Sequence, residues 1–250
     1  MSDLHTEQYL RVQLAACYRI FAMLGWTELI YNHITVRIPG PETHFLINPF
    51  GLHYSEVTAS NLVRIDLQGT VIGQSEWPVN PAGFTVHAAI HASIPDAHCV
   101  MHTHTTNGCA VAGSQLGLSP DNFYAAQLYG QVAYHDFEGI TVHAEEGPRL
   151  IKDIAGKHTV ILRNHGLLAW GESIPLAFAF LWTLQRACDI QVAGAALGPT
   201  IPLSIAIQER CSADSLQFKA NAGKANLGAG EDVFKALMRM VDRIDSGYKL

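Results

Sequence analysis

The sequence predicts a single α/β domain over residues 1–250, in which helices cover a largely antiparallel sheet. Three observations favour this fold class. Short strand-like runs occur in groups and are joined by gaps of turn length, which suit antiparallel pairing. Longer segments with helical periodicity flank these groups and can cover the sheet. Of the 250 residues, 48% are apolar and only 15% are charged, which is typical of a compact globular chain.

The N-terminal part begins with a helix and continues into strands. Residues 7–24 place their apolar side chains at helical spacing, and Gly25 ends the predicted helix. Turn residues such as Pro39 and Gly40 divide the β-rich region that follows. The strands predicted in this region are 34–38, 45–47, 63–67 and 70–72.

The rest of the chain alternates helices with further strands. Helices are predicted at 83–93, 107–113, 147–157, 174–197 and 231–246, and strands at 97–103, 131–135, 159–163 and 167–170. The helix at 174–197 carries a broad apolar face, which suits either the protein core or an interface between subunits. Residues 212–230 are rich in Ser, Ala, Asn and Gly, so a mobile segment is predicted before the last helix.

Charge and cysteine usage narrow the classes of partner. The formal net charge is −6 and no basic run occurs, which argues against a nucleic-acid-binding protein. The chain has no signal-peptide pattern and no apolar stretch that could span a bilayer, so no membrane association is expected. Five cysteines without a Cys-x-x-Cys pair favour reduced thiols and a cytoplasmic location. The expected partner is therefore a small-molecule substrate.

One pair among the 13 histidines has the spacing of metal ligands. His102 and His104 lie at the end of the strand predicted at 97–103, and alternation along a strand points both imidazoles to one face. His165, in a turn before Gly166, is the candidate third ligand. Three imidazoles and an open position describe a catalytic zinc site. On the residues alone, two ordinary histidines at a strand end are an equally good interpretation.

A second histidine pair competes with this site. His87 and His91 are one helical turn apart in the helix predicted at 83–93, which places both rings on one face. Alanine follows His87, so the pair lacks the glutamate of the His-Glu-x-x-His zinc motif. We therefore interpret this pair as part of a helix face near the site rather than as the primary ligands.

Several separated motifs resemble those of one protein family in order and spacing. They are YNHITVR at 31–37, FLINPFG at 45–51, NPAGF at 80–84, PDAHCVMHTH at 95–104 and RNHG at 163–166. Through them, residues 8–200 resemble the class II aldolase/adducin family. The resemblance implies a three-layer α/β/α sandwich around a mostly antiparallel central sheet, and it also implies a homotetramer.

The same resemblance implies a metal-dependent chemistry. Enzymes of the family hold zinc with three histidines, which correspond here to His102, His104 and His165. In the sugar-phosphate aldolases of the family, zinc binds the hydroxyl and carbonyl oxygens of the substrate and stabilises the enediolate left after carbon–carbon cleavage. Zn²⁺ is therefore the expected cofactor, with Mn²⁺, Fe²⁺ or Co²⁺ as alternatives.

Two departures from the family pattern concern proton transfer and phosphate binding. The aldolases carry an acid/base glutamate at the position of Gly83, preceded by two phosphate-binding serines where this chain has Pro81 and Ala82. Their Thr-Pro-Ser-Gly phosphate turn reads Asn-Pro-Phe-Gly at 48–51, and their early Gly-Asn pair reads Asn-His at 32–33. The candidate substrate-binding residues at these positions are Asn32, His33, Asn48, Gly51 and Gly83. This variant is closer to the adducin branch, whose eukaryotic members are cytoskeletal proteins not known as aldolases.

Two functions are compatible with this pattern. The first is a metal-dependent aldehyde-lyase that cleaves a carbon–carbon bond, by retro-aldol reaction or decarboxylation, in a small non-phosphorylated hydroxy or oxo compound. The second is a non-catalytic, adducin-like scaffold protein that retains the metal site. The intact set of ligands favours the first. Candidates for the missing acid/base, each also explained as a surface or packing group, are Glu76, Glu145, Glu146, His87 and Tyr124.

Overall fold

The computed structural model describes residues 6–140, 143–222 and 228–250. Its elements are α1 (Glu7–Leu24), β1 (His33–Ile38), β2 (His44–Ile47), β3 (Val63–Ile65), α2 (Pro81–Ser93), β4 (Cys99–Thr103), α3 (Thr106–Ala112), α4 (Phe123–Gln127), β5 (Val132–His135), α5 (Gly147–Ile154), β6 (Thr159–Leu162), β7 (Gly166–Gly171), α6 (Ile174–Gly194), α7 (Ile205–Ala222) and α8 (Glu231–Ile244). Within these ranges, none of the helices combines the length and apolarity needed to span a bilayer.

The strands form one sheet of seven in the order β3-β2-β1-β4-β7-β6-β5. Neighbouring strands are antiparallel except for β5 and β6, which pair in parallel. Helix α5 lies between β5 and β6 in the chain and provides the crossover that a parallel pair requires. The predicted mostly antiparallel sheet is confirmed, with one parallel pair that makes it mixed.

Helices cover both faces of the sheet, which confirms the three-layer α/β/α sandwich. Cys99 and Met101 of β4 share one core with residues of α1, α6 and α8. Val100, between them, belongs to a second core with residues of α2 and α5. Successive side chains of a strand point to opposite faces. His102 therefore shares the face of Val100 and points towards the α2 and α5 layer.

Helix α1 holds together the strands that lead to the candidate site. Its N-terminus is capped by Thr6, whose side-chain oxygen accepts the N–H of Tyr9, and it ends at Gly25 in the left-handed conformation, at φ 74°. The buried hydroxyl of Tyr18 accepts the N–H of Ile34 at 2.9 Å and that of Asn48 at 3.2 Å. This hydroxyl therefore joins the start of β1 to the end of β2.

The structure differs from the predicted elements at three places. Residues 70–72 form no strand and contribute one isolated bridge, between Val71 and Ile65. Helix α7 was not predicted, and its second half covers 212–222 of the segment whose mobility stays a prediction, while 223–227 lie outside the described residues. Helix α4 was not predicted. It packs against α7, where the hydroxyl of Ser212 donates to the carbonyl oxygen of Tyr129 at 2.9 Å.

The broad apolar face of α6 belongs to the core of this chain. Phe178, Leu181 and Leu184 are fully buried in the core formed with α1 and the sheet. Most of this face therefore forms core, whereas Trp182 is only partly buried and Ile190 is 37% exposed.

Candidate metal centre

Three histidines come together at one end of the sheet, where His102 lies in β4, His104 directly follows it and His165 directly precedes β7. Each of His102, His104 and His165 offers a ring nitrogen, and these atoms all lie within 4.8 Å of one another. The Nε2 atoms of His102 and His104 are 2.6 Å apart. Strand β4 ends at Thr103 and pairs there with Leu167 of β7, so antiparallel pairing brings the turn that holds His165 beside the end of β4.

A tight turn between β6 and β7 positions His165. Asn164 adopts a left-handed conformation, with φ 54°, which asparagine accepts more readily than most residues. Gly166 follows, and a Cβ atom there would collide with the carbonyl oxygen of Thr103. The same atom would lie 3.1 Å from Cδ2 of His104 and 3.2 Å from Cε1 of His102. The absence of a side chain at Gly166 is therefore what lets the three imidazoles approach.

Backbone and amide groups orient two of the histidines. The Nδ1–H of His102 donates to the carbonyl oxygen of Leu167 at 2.9 Å, which leaves Nε2 of the neutral ring with a lone pair. The side-chain oxygen of Asn32 accepts the backbone N–H of His104 at 3.1 Å. The amide nitrogen of Asn32 donates to the carbonyl oxygen of Trp26 at 3.1 Å. Asn32, a predicted substrate-binding residue, thus holds the loop that carries His104.

Burial keeps the three imidazoles neutral at neutral pH. It lowers the pKa of His102 well below its usual value, and the neighbouring His165 and His104 lower it further. Burial also lowers the pKa of His104, and it lowers that of His165 to about 4. Neutral imidazoles are ligands for zinc and other divalent transition metals. The donor set therefore fits the metal implied by the family resemblance.

The three histidines open onto a cavity of about 570 Å³. Its described lining residues are Glu28, Tyr31, His33, Asn80, Val86, His102, His104, Cys109, Phe137, Gly139, Ile140, Leu162, Asn164 and His165. Among these residues, Glu28 carries the only carboxylate, and no lysine or arginine occurs. A partly apolar cavity with a few polar groups is the usual form of a small-molecule site.

A chain of hydrogen bonds lies behind His33. The Nδ1–H of His91 donates to the carbonyl oxygen of Ala97 at 2.7 Å, because a carbonyl can only accept. Nε2 of the neutral His91 ring therefore accepts a hydrogen bond from the hydroxyl of Thr35 at 2.7 Å. The oxygen of that hydroxyl in turn accepts a hydrogen bond from Nδ1–H of His87, also at 2.7 Å. This arrangement leaves Nε2 of His87 with a lone pair. The ring centroids of His87 and His33 are 4.2 Å apart.

Two of the predicted acid/base candidates are buried. His87 belongs to this hydrogen-bonded chain, and burial lowers its pKa well below the usual value. Glu146 is buried as well and pairs with His135, with 3.2 Å between Oε1 and Nε2. Neither side chain is among the described residues that line the cavity.

The other three acid/base candidates lie elsewhere on the molecule. Tyr124 belongs to α4 and packs edge-on against Trp182, with 5.3 Å between ring centroids. Glu76 and Glu145 are exposed, and Glu76 lines a separate surface depression. The structure does not bring these three side chains to the described wall of the cavity.

The predicted substrate-binding residues occupy different positions. His33 lines the cavity. Asn48 is buried and its side-chain oxygen lies 3.0 Å from the hydroxyl of Tyr18, so it belongs to the joint between β1 and β2. Gly51 is exposed in a turn with φ 112°. Gly83 falls in the first turn of α2, and its surroundings lie outside the described residues.

Sequence reasoning missed Glu28. This residue lies in the turn between α1 and β1, where both Glu28 and Leu29 have left-handed backbones, with φ 40° and 56°. Its position just before the motif at 31–37 was the available signal, but nothing local separates it from an ordinary loop glutamate. Only the folded chain shows that Glu28 and the three histidines line the same cavity.

Comparison with known proteins places the chain among aldolases and adducins. Residues 12–192 match the family model described as "Class II Aldolase and Adducin N-terminal domain". An aldolase II superfamily protein from Pseudomonas syringae has a similar structure, with a TM-score of 0.91 and 38% sequence identity. The similarity covers 98% of this chain and 96% of that chain.

Of two further relatives, one is named as an aldolase and the other as an adducin. The structure of an L-fuculose 1-phosphate aldolase from Glaciozyma antarctica PI12 matches with a TM-score of 0.80 and 30% identity, over 95% of this chain and 90% of that one. Alpha-adducin of Rattus norvegicus is 45% identical over 252 residues, which cover 97% of this chain. The matching part is only 34% of that adducin.

Proposed function

Since the chain belongs to the class II aldolase and adducin family, we propose that it is a metal-dependent lyase. In this proposal it cleaves a carbon–carbon bond, by retro-aldol reaction or decarboxylation, in a small non-phosphorylated hydroxy or oxo compound. The observation that carries the proposal is the cluster of three buried or half-buried histidines that opens onto a cavity of about 570 Å³. A catalytic metal site needs such a set of ligands with an open side.

His102, His104 and His165 would hold the metal ion, with Zn²⁺ first and Mn²⁺, Fe²⁺ or Co²⁺ as alternatives. When bound, such an ion supplies a Lewis acid that polarises a carbonyl and stabilises negative charge as the bond breaks. The carbonyl of Leu167 holds the Nδ1–H of His102 and so directs Nε2 of that ring towards the shared site.

Other lining residues would bind and orient the substrate. Phe137 and Ile140 contribute apolar surface to the wall of the cavity, while Asn80 and His33 contribute polar groups. Apolar walls exclude water, and a few polar groups determine the orientation of a ligand. This combination supports a compact substrate that has both an apolar part and hydroxyl or carbonyl oxygens.

The cavity is poorly suited to a phosphate group. A buried phosphate needs several convergent donors, because an anion that loses its water without gaining partners is costly. No lysine or arginine is among the described lining residues. Pro81 and Ala82 stand where the family's aldolases carry phosphate-binding serines, and neither residue type has a side-chain donor.

The decisive experiment compares phosphorylated and non-phosphorylated substrates on the zinc- and manganese-loaded protein. We expect non-phosphorylated hydroxy-oxo or aryl compounds to release an aldehyde if the reaction is a retro-aldol cleavage, or CO₂ if it is a decarboxylation. For L-fuculose 1-phosphate, we expect kcat/KM well below about 10⁴ M⁻¹s⁻¹, the lower end for enzymes on their own substrates. The protein stripped of metal by a chelator is the control. Efficient turnover of the sugar phosphate would contradict the proposal and would align the chain with the aldolase of Glaciozyma antarctica.

A second candidate is a non-catalytic scaffold protein that retains the metal site. The 45% identity with alpha-adducin of Rattus norvegicus favours it. Full metal content with no turnover on either substrate panel would support this alternative. The open side of the histidine cluster supports the lyase instead, because a metal that only stabilises the fold is normally enclosed by four protein ligands.

We also propose the homotetramer that the family resemblance implies. Three large side chains at the cavity are exposed in the single chain: Tyr31 at 52%, Phe137 at 52% and Ile140 at 78%. A neighbouring subunit would cover such apolar surface. Light scattering at micromolar protein concentration should give the mass of four chains, and the mass of one chain would reject this assembly.

A further inference from the structure

The wall of the cavity carries its negative charge at one described position. Glu28 is the single carboxylate among the described lining residues, and no positively charged side chain among them offsets it. The three histidines line the same cavity. A bound divalent ion would attract the same metal-binding head whether the tail of the ligand is neutral or anionic. Within the described wall, the difference between such tails therefore depends on Glu28.

The turn that carries Glu28 is tied directly to the histidine cluster. The backbone N–H of Tyr31 donates to the carbonyl oxygen of Glu28 at 3.2 Å, which closes the turn. Asn32 then bridges this turn to the cluster, since it donates to Trp26 and accepts from the N–H of His104, each at 3.1 Å. These bonds hold the backbone of Glu28 in a constant position relative to His104.

Glu28 and the three histidines line one cavity, so a ligand held at the histidines shares that cavity with the Glu28 carboxylate. Charge interactions are stronger where a cavity excludes part of the water than they are in bulk solvent. The tail of such a ligand therefore experiences the field of Glu28.

We propose that Glu28 selects uncharged ligands and repels anionic ones at this site. The inference rests on the proposed metal-dependent lyase and narrows its substrate class. A ligand whose second end is a phosphate or carboxylate would meet a negative charge and find no lysine or arginine in the described wall. The substrate is therefore a neutral hydroxy-carbonyl compound. This substrate class favours retro-aldol cleavage over decarboxylation, which requires an acid.

The experiment compares two ligands with the same metal-binding head on the zinc-loaded protein. Acetohydroxamate has a neutral tail, whereas phosphonoacetohydroxamate carries a dianionic tail on the same head. Dissociation constants are measured by calorimetry for the wild type, Glu28→Gln and Glu28→Asn. Asparagine removes the charge and also suits the left-handed backbone of position 28. The control is Glu209→Gln, because Glu209 is an exposed glutamate of α7 that is not among the cavity residues.

Both Glu28 variants should bind the phosphonate about tenfold more tightly than the wild type, since a like charge has been removed. Their affinity for acetohydroxamate should change less than about twofold, and Glu209→Gln should change neither affinity. Normal metal content with unchanged phosphonate affinity in both Glu28 variants would overturn the role of Glu28 and leave the lyase proposal standing. A wild-type protein that takes up no divalent metal would overturn both proposals.

Discussion

His102→Ala should lose metal affinity by at least about 100-fold, since even the loss of a hydrogen bond to a metal-ligating histidine costs 10–100-fold. His102 is the most buried of the three histidines, and its ring is oriented by the carbonyl of Leu167. Alanine removes the ring nitrogen and leaves two imidazoles, which are too few for a stable catalytic site. Metal content after dialysis and competition with a chelator measure the effect.

The control for this variant is His98→Ala. His98 is exposed just before β4, so its side chain can be removed without opening the histidine cluster. We expect the control to keep the metal content of the wild type. Equal metal content in His102→Ala and the wild type would show that the ion, if bound at all, is held elsewhere.

Gly166→Ala should damage the fold and the metal centre together. The added Cβ would collide with the carbonyl oxygen of Thr103, and backbone atoms of paired strands cannot move aside as a flexible side chain would. Overpacking of this kind costs about 1–3 kcal/mol of unfolding free energy. Because a chain of this size loses about 2–4 °C in Tm per kcal/mol, calorimetry should detect the change. Metal affinity should fall as well, since the same Cβ crowds His102 and His104.

Gly194→Ala provides the matched control for Gly166→Ala. Gly194 ends α6, and a Cβ atom there would meet no other atom within 4 Å. Alanine is the better helix former, so this variant should be neutral or more stable by up to about 1 kcal/mol. If Gly166→Ala has the Tm and the metal content of Gly194→Ala, the close approach of β4 and β7 is not what builds the site.

The helices and strands with strong local signals were predicted well. Thr6 and Gly25 delimit α1 through their side-chain and backbone preferences, which act within a few residues. Strand β4 lies within the strand predicted at 97–103, and all five of its residues are buried. Helix α7 was missed, since its sequence is polar and its position depends on packing against α4.

Some residues of the candidate site were likewise predictable from a local sequence pattern, whereas others are brought there only by the fold. His102 and His104 could be paired from the sequence, because alternation along a strand is a local rule. Glu28 could not be assigned to them, since it joins their cavity only after a turn near α1 meets the end of β4. Substrate binding by Asn32 stays a prediction, and only the structure shows that its side chain holds the loop of His104. Hydrogen-bond partners distant in the sequence leave no periodic signal.

By itself, the sequence determined the class of fold, the family and the pair of histidines on one strand face, because periodicity and motif spacing are properties of neighbouring residues. Tertiary structure alone decided that most of the apolar face of α6 is core, that Gly166 must lack a side chain, and that Glu28 is the carboxylate among the described lining residues of the cavity. Each of these depends on which segments meet in space. Chain segments distant in sequence meet only when the strands pair and the helices pack on them.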